Sequence, residues 1–213
     1  FAGAGSTDMG VLHPKGLVAE EQRRLLFDSI ALMLSVVIPV IVLSIDFALR
    51  YRADRPKRKA HHYEPDLADN VLLEVVWWGV PAVIVLILSV LLWTSTQRLD
   101  PYRPLDVPGK PLVVEVVALR WNWLFIYPEQ HIASLNHLEL PVNRQVEFLI
   151  TADAPMSSFM IPQLGGQIYA MAGMRTKLHL YPTSIGNYLG LNTQFNGLGF
   201  SEMRFRTEVV DEK

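Results

Sequence analysis

The sequence predicts a membrane protein of α+β class: two transmembrane helices near the N-terminus, then an all-β Greek-key sandwich. Three observations carry this. Two long apolar runs, residues 25–49 and 71–95, precede residue 96. From residue 112 onward, short β-branched and alternating segments are punctuated by Gly, Pro and Asn. The chain is 50% hydrophobic, and the excess sits in the two runs, not evenly along the 213 residues. The remainder, about 110 residues, is enough for one compact domain.

Bulk properties exclude some classes. A net charge of −2 gives no electrostatic case for nucleic acid. No cysteine is present, so no disulfide framework and no thiolate ligand is available. Phe1 is not Met, and no charged region precedes an apolar core, so the chain reads as a processed product. No internal repeat, zinc-type spacing, P-loop or nucleophile elbow occurs.

The elements follow in order. Residues 1–24 read as a flexible external segment, rich at first in Gly and Ser. Residues 25–49 read as the first span, with no charge between Ile30 and Ile45. A helix of about 23 residues covers roughly 35 Å, more than the roughly 30 Å hydrocarbon core. Pro39 lies inside it, which neighbouring helices can tolerate. Asp46 reads as a boundary carboxylate paired with a nearby Arg. Residues 50–70 form a basic loop with Arg50, Arg52, Arg55, Lys57, Arg58 and Lys59. Basic loops stay inside, so the first helix runs outside to inside. His61 and His62 read as loop residues, because adjacent side chains cannot share a face.

Residues 71–95 read as the second span, returning the chain outside and closing a helical hairpin. Trp77 and Trp78 mark one end and Trp93 the other, as an aromatic belt does. Glu74 is the one charge near its start. Residues 96–111 form a Pro-rich, semi-rigid linker. Residues 112–213 supply the strands: 113–117, 146–150, 176–181 and 203–209 are β-branched or alternate. Trp121 and Trp123 alternate with polar neighbours and are expected on one strand face, in core or interface packing. His131, His137 and His179 read as surface or strand residues, since a blue-copper site would need a Cys as well. Met156, Met160, Met171, Met174 and Met203 are expected to fill irregular gaps.

One stretch organises the rest. Asn192, Gln194, Asn196, Phe200 and Met203 occupy the frame Cys-x-Glu-x-Cys-x-x-x-His-x-x-Met. That frame resembles the metal loop of subunit II of the haem-copper respiratory oxidases, which holds the dinuclear CuA centre in cytochrome c oxidases. The remaining CuA ligand is a His that falls on Ser157, in Ser157-Ser158-Phe159-Met160-Ile161-Pro162. Of the six positions only Met203 keeps the family residue. A soft copper pair needs thiolates and imidazoles, which amides and Phe cannot replace. The chain therefore resembles the CuA-less branch, subunit II of the quinol oxidases, similar to cytochrome bo-type ubiquinol oxidases. The segments from Trp121 to Gln130 and from Ile161 to Met174 carry the match most strongly, and it covers nearly the whole chain.

The resemblance implies a cupredoxin fold for residues 112–213, a periplasmic domain without copper. It implies a non-catalytic subunit of a proton-pumping terminal oxidase in the bacterial inner membrane, with both termini and the β domain outside. No metal is expected in this chain, and the magnesium-type ligand that the family places at Gln194 is lost with the carboxylate. Two haems, one copper (CuB) and ubiquinone are expected in subunit I. The expected partners are subunit I, the smaller membrane subunits and the lipid bilayer, with quinol as substrate and no cytochrome c. The Glu matching Glu74 lies at the mouth of a proton channel, so Glu74 is expected to serve proton uptake. The simpler reading of Glu74 is an interfacial carboxylate that reaches water or a loop Arg. Relatives in this branch carry an acylated Cys at the N-terminus, so either an anchor upstream of Phe1 or a plain flexible end fits. A rival function is a membrane-anchored structural or assembly module with no oxidase role.

Overall fold

A computed structural model describes residues 10–50 and 70–211. The basic block from Arg52 to Lys59, His61-His62 and the Gly-rich first nine residues lie outside the described residues. The chain divides into two units, residues 25–97 and residues 1–24 with 98–213.

The first unit holds most of two long helices, α1 (Leu17–Arg50) and α2 (Val71–Arg98). Each has a long apolar stretch of which nothing is buried by the chain itself. A helix apolar on all sides needs a non-aqueous surrounding. At ~1.5 Å per residue both exceed the ~30 Å of a hydrocarbon core. Several of their hydroxyls are satisfied within the helix: Ser44 donates to the Val40 carbonyl at 2.7 Å and Ser89 to that of Val85 at 2.8 Å. That removes the cost of an unpaired polar group in lipid. Asn70 caps α2, its side-chain oxygen accepting from the amides of Leu72 and Leu73 at 3.0 and 3.3 Å. Asp46 pairs with Arg50 one turn on, at 2.8 Å, as the sequence suggested.

Helix α1 begins at Leu17, eight residues before the apolar run, and residues 10–24 are not a free leader. The cause is helix-end chemistry. The first amides of a helix have no partner inside it. Here the amide of Leu17 donates to the Tyr181 carbonyl at 3.2 Å, and that of Ala19 to the Leu164 carbonyl at 3.3 Å. Just upstream, the Lys15 amide reaches the Gln163 carbonyl at 2.7 Å, and Gly16 bridges to Pro182. Val18 and Ala19 are buried against the β structure. The polar residues Glu20 to Arg24 hid this turn from a reading based on apolar runs.

The second unit is a two-sheet sandwich. One sheet runs β3-β2-β1-β5-β8. Its strands are β1 (Leu112–Ala118), β2 (Trp123–Tyr127), β3 (Ile132–Leu135), β5 (Val146–Ala152) and β8 (Thr176–Leu180). The other runs β4-β10-β9-β6-β7. It contains β4 (His137–Pro141), β6 (Ser157–Met160), β7 (Gln167–Ala170), β9 (Gly186–Asn192) and β10 (Arg204–Val210). Most neighbouring strands pair antiparallel, but β1 pairs parallel with β5, and β4 with β10. Parallel neighbours need a crossover. Between β1 and β5 the chain supplies one by leaving its sheet to form β4 in the other.

Alternation places the core. In β1 and β5 every second residue is buried, including Val114, Val116, Phe148 and Ile150. Between the sheets Trp123, Phe125, Phe159 and Phe205 form an aromatic centre, with Phe159 stacked on Phe205 at 5.1 Å and edge-on to Trp123 at 5.5 Å. Gly190 stands opposite Phe205 in register, and a Cβ there would lie 2.0 Å from the Phe205 ring. The ring thus lies over a bare backbone.

Candidate functional site

The metal-loop frame spans the end of β9, a Gly-containing loop, a short 3-10 turn at Phe200–Glu202, and the entry into β10. Facing it is β6, whose Phe159 is in register with Asn192. These elements bring Ser157, Asn196 and Met203 together. The Asn196 side-chain amide donates to Ser157 Oγ at 3.0 Å and lies 3.2 Å from Met203 Sδ. Ser157 Oγ is also 4.0 Å from that sulfur. Both Ser157 and Met203 are wholly buried. The Asn196 side-chain oxygen is enclosed and unpaired among the described residues.

Asn192, buried, ties the two elements together. Its oxygen accepts from the Ser158 amide at 2.8 Å and the Gln194 amide at 3.1 Å, while its nitrogen donates to the Gln194 carbonyl at 2.8 Å. Gln194 thus enters through its backbone. Phe200 turns to the neighbouring ring of Phe195, at 5.6 Å. Residues that the frame did not point to complete the network: Ser158 Oγ accepts from Thr193 Oγ1 at 2.8 Å and from the Gln167 side chain at 3.0 Å. The available signal was the run of polar residues beside apolar ones in two neighbouring strands.

Hydroxyl, amide and one thioether are what this cluster offers. The thioether already receives an N–H, and the amide oxygens are hard donors. This set does not fit a copper pair, which calls for thiolates and imidazoles. Hydrogen bonds between side chains link β6 to the loop in its place.

Trp121 departs from the alternation argument. It has φ 62° and stands outside β2, so it does not share the buried face of Trp123. It still packs against the core, as expected, and also over the loop: a Cβ on Gly199 would be 2.2 Å from the Trp121 ring. The Arg120 guanidinium lies 5.4 Å from the centre of that ring. The methionines are corrected too. Met203 alone fills the cluster, while Met156 and Met174 are exposed at 41% and 51%. His179 is a strand residue, as one of the two expectations had it: it lies in β8 and is buried at 4%.

Burial also sets the ionisation of two phenols. Burial pushes Tyr127 up, against the lowering effect of its hydrogen bond with the Glu139 backbone. Tyr188 is raised by burial as well. The Tyr127 hydroxyl donates to the Glu139 carbonyl at 3.0 Å and accepts from the Glu139 amide at 2.8 Å, joining β2 to β4.

In the helical unit, Glu74 lies in the first turn of α2, exposed along the chain and followed by the exposed Trp77 and Trp78.

No protein-family model matches the chain. The cytochrome bo(3) ubiquinol oxidase subunit 2 of Pseudomonas aeruginosa is 47% identical over 98% of this chain and 62% of its own length. The ubiquinol oxidase subunit 2 of Acetobacter aceti is 47% identical, over 95% and 66%. The cytochrome bo(3) ubiquinol oxidase subunit 2 of a Buchnera aphidicola strain is 40% identical over 96% of this chain and 71% of its own. The chain thus spans a little under two thirds of the first two proteins. Among solved structures, a chain of a haem-copper terminal oxidase dimer matches with TM-score 0.51 and 18% identity. It covers 65% of this chain and 99% of that one, which speaks to the fold alone. Two apolar helices followed by a cupredoxin-like sandwich are thereby the architecture, as the sequence implied.

Proposed function

The chain belongs to the family of subunit 2 of the quinol oxidases, and on that footing we propose that it is a non-catalytic subunit of a proton-pumping terminal ubiquinol oxidase. The complex oxidises quinol in the bacterial inner membrane and reduces oxygen to water. Two haems, one copper and the quinone reside in subunit I. This chain docks on subunit I and the smaller membrane subunits through its helices, and its β domain caps the outer, periplasmic face.

The observation that carries the quinol branch is the cluster of Ser157, Asn192, Asn196 and Met203. A subunit that takes electrons from cytochrome c needs a redox metal near its surface, and these side chains offer no set for one. Electrons then reach the complex by a route that bypasses this domain, as a quinol in the membrane allows.

Glu74 contributes to proton uptake. Oxygen reduction consumes protons from the inside, and a carboxylate at the start of α2 can collect and relay them. Ionisable groups at membrane depth normally face protein or water, since exposure to lipid costs about 2.5–3.5 kcal/mol on insertion scales. The basic residues that precede α2 in the sequence support that end of α2 lying inside.

The test is purification of the complex from membranes, with an optical haem spectrum and parallel quinol and cytochrome c oxidation assays. Fixed-ratio co-purification with a haem-bearing subunit and quinol-only turnover are expected. Cytochrome c turnover would overturn the reading, and recovery of the chain without any haem protein would favour a structural or assembly module.

A further inference from the structure

Between α2 and β1 the chain is Pro-rich, with Pro101, Pro104 and Pro108, and stiffness alone would make it a spacer. In the structure residues 98–111 belong to the β unit. Leu99 and Leu105 pack against its core. Asp100 closes a local turn, its carboxylate accepting from the Tyr102 amide and its carbonyl from the Arg103 amide, both at 3.0 Å. One side chain of the sandwich holds this turn by a polar bond. His179 Nδ1 donates to the Pro101 carbonyl at 2.9 Å from a side chain only 3% exposed. A carbonyl can only accept, so Nδ1 carries the proton, and Nε2 faces the Glu147 carboxylate at 3.9 Å. Lys177 pairs with the same carboxylate oxygen, at 3.0 Å.

Under the turn lies a cavity of about 100 Å³, lined by Val18, Gln22, Pro101, Leu105, Leu178 and His179. The turn is therefore seated on the sandwich partly over this gap, between the packed side chains of Leu99 and Leu105. We propose that His179 is the latch of a strap formed by residues 99–105: its Nδ1–H fixes the strap on the sandwich, and the strap can lift without unfolding the strands. His179 is in this sense a positioning residue for the segment through which α2 joins the β domain.

The experiment is amide hydrogen exchange on the full chain in detergent micelles. The reporters are the Tyr102 and Arg103 amides, with β1 and β5 amides as the reference. His179→Phe keeps an aromatic ring and removes the donor. The expected result is faster exchange at Tyr102 and Arg103 by about five- to tenfold, the worth of one net hydrogen bond, with strand amides unmoved. His179→Asn, whose amide nitrogen stands near the place of Nδ1, restores most of the protection. Unchanged strap amides, equal acceleration in the strands, or a His179→Phe chain that fails to fold would each overturn the separable latch. A second measurement needs no variant. Nitrogen NMR of the wild-type chain labelled in histidine should show His179 with the proton on Nδ1 at pH 8, and a proton on Nε2 instead sinks the assigned bond.

Discussion

Asn196→Asp is the sharpest probe of the cluster that stands on the copper-loop frame. The change is nearly isosteric, so packing is kept. It replaces the N–H donor aimed at Ser157 Oγ and Met203 Sδ by an acceptor, and it adds a charge beside a sulfur and a wholly buried hydroxyl. Ser157 can turn its own hydroxyl toward the new oxygen, but Met203 has no proton to offer. Leaving an ionised group so placed costs about 2–3 kcal/mol, toward the upper end of an unsatisfied polar group. Asn196→Ala is the control. It loses the same two contacts but also removes the enclosed, unpaired oxygen, and should cost only about 0.5–1.5 kcal/mol. For a domain near 100 residues, each kcal/mol moves the melting temperature by about 4–8 °C. The assay is thermal unfolding of the full chain in micelles, followed by near-ultraviolet circular dichroism. Burial raises the pKa of the new carboxyl in the folded state. The folded chain then holds that proton more tightly than the unfolded one. The penalty is absent in acid, grows as pH rises above the unfolded value of about 3.9, and is complete above the folded one. Asn196→Asp should therefore melt well below Asn196→Ala at pH 8, with the gap narrowing at pH 5. Equal melting of the two variants at both pH values would refute a closed, donor-dependent cluster.

Four further outcomes are expected. The purified chain should bind no stoichiometric copper, and a purple CuA-type absorption on copper addition would contradict the donor chemistry. A cysteine placed at Arg58 should be shielded from an impermeant thiol reagent in intact cells while one at Lys110 is labelled; equal labelling removes the orientation argument. Tyr127→Phe strips both bonds from the Glu139 backbone and should cost about 1–2 kcal/mol at neutral pH. Because burial raises the phenol's pKa, the wild-type chain loses stability as pH climbs through and beyond about 10, and Tyr127→Phe should lose less over that range in an alkaline denaturation series. Glu74→Gln keeps size and hydrogen bonding but not the titratable charge; haem content and assembly should be normal and oxidase turnover slowed, and wild-type turnover across pH would leave Glu74 a structural role only.

What was legible in the sequence was whatever depends on a short period or a long run. The two spans, the alternating strands β1 and β5, and the loop frame all have that character. What was not legible depends on a partner distant in sequence. Residues 17–24 look polar, and only the carbonyls of Leu164 and Tyr181 explain why a helix starts at Leu17. Asn-Trp alternation around Trp121 and Trp123 mimics a strand, yet the positive φ of Trp121 breaks it so that the ring can cover the Gly197–Gly199 backbone. His179 sits in an ordinary alternating segment, and nothing near it in sequence reveals that its Nδ1 meets the Pro101 carbonyl. The methionines suggested a cluster by composition, but exposure at Met156 and Met174 is set by the ends of β6 and β7, which composition does not place.

The same contrast explains how the loop can keep its shape with a different set of side chains. Much of its path is defined by backbone and neighbours, to which the side chains of Asn192 and Asn196 add their own bonds. Gly197 has φ 120°, a conformation that a side chain would strain. Gly199 leaves the space that the Trp121 ring occupies. The 3-10 turn is closed by the amides of Glu202 and Met203 donating to Gly199 and Phe200 at 3.2 Å each. The loop's return to the sheet is pinned where the Asn192 amide reaches the Met203 carbonyl, at 3.1 Å. None of these contacts uses a ligand-position side chain. A loop held in this way brings positions 192, 196 and 203 beside Ser157 of β6. Amides and a hydroxyl then close the gap with neutral hydrogen bonds, each contributing about 0.5–1.5 kcal/mol.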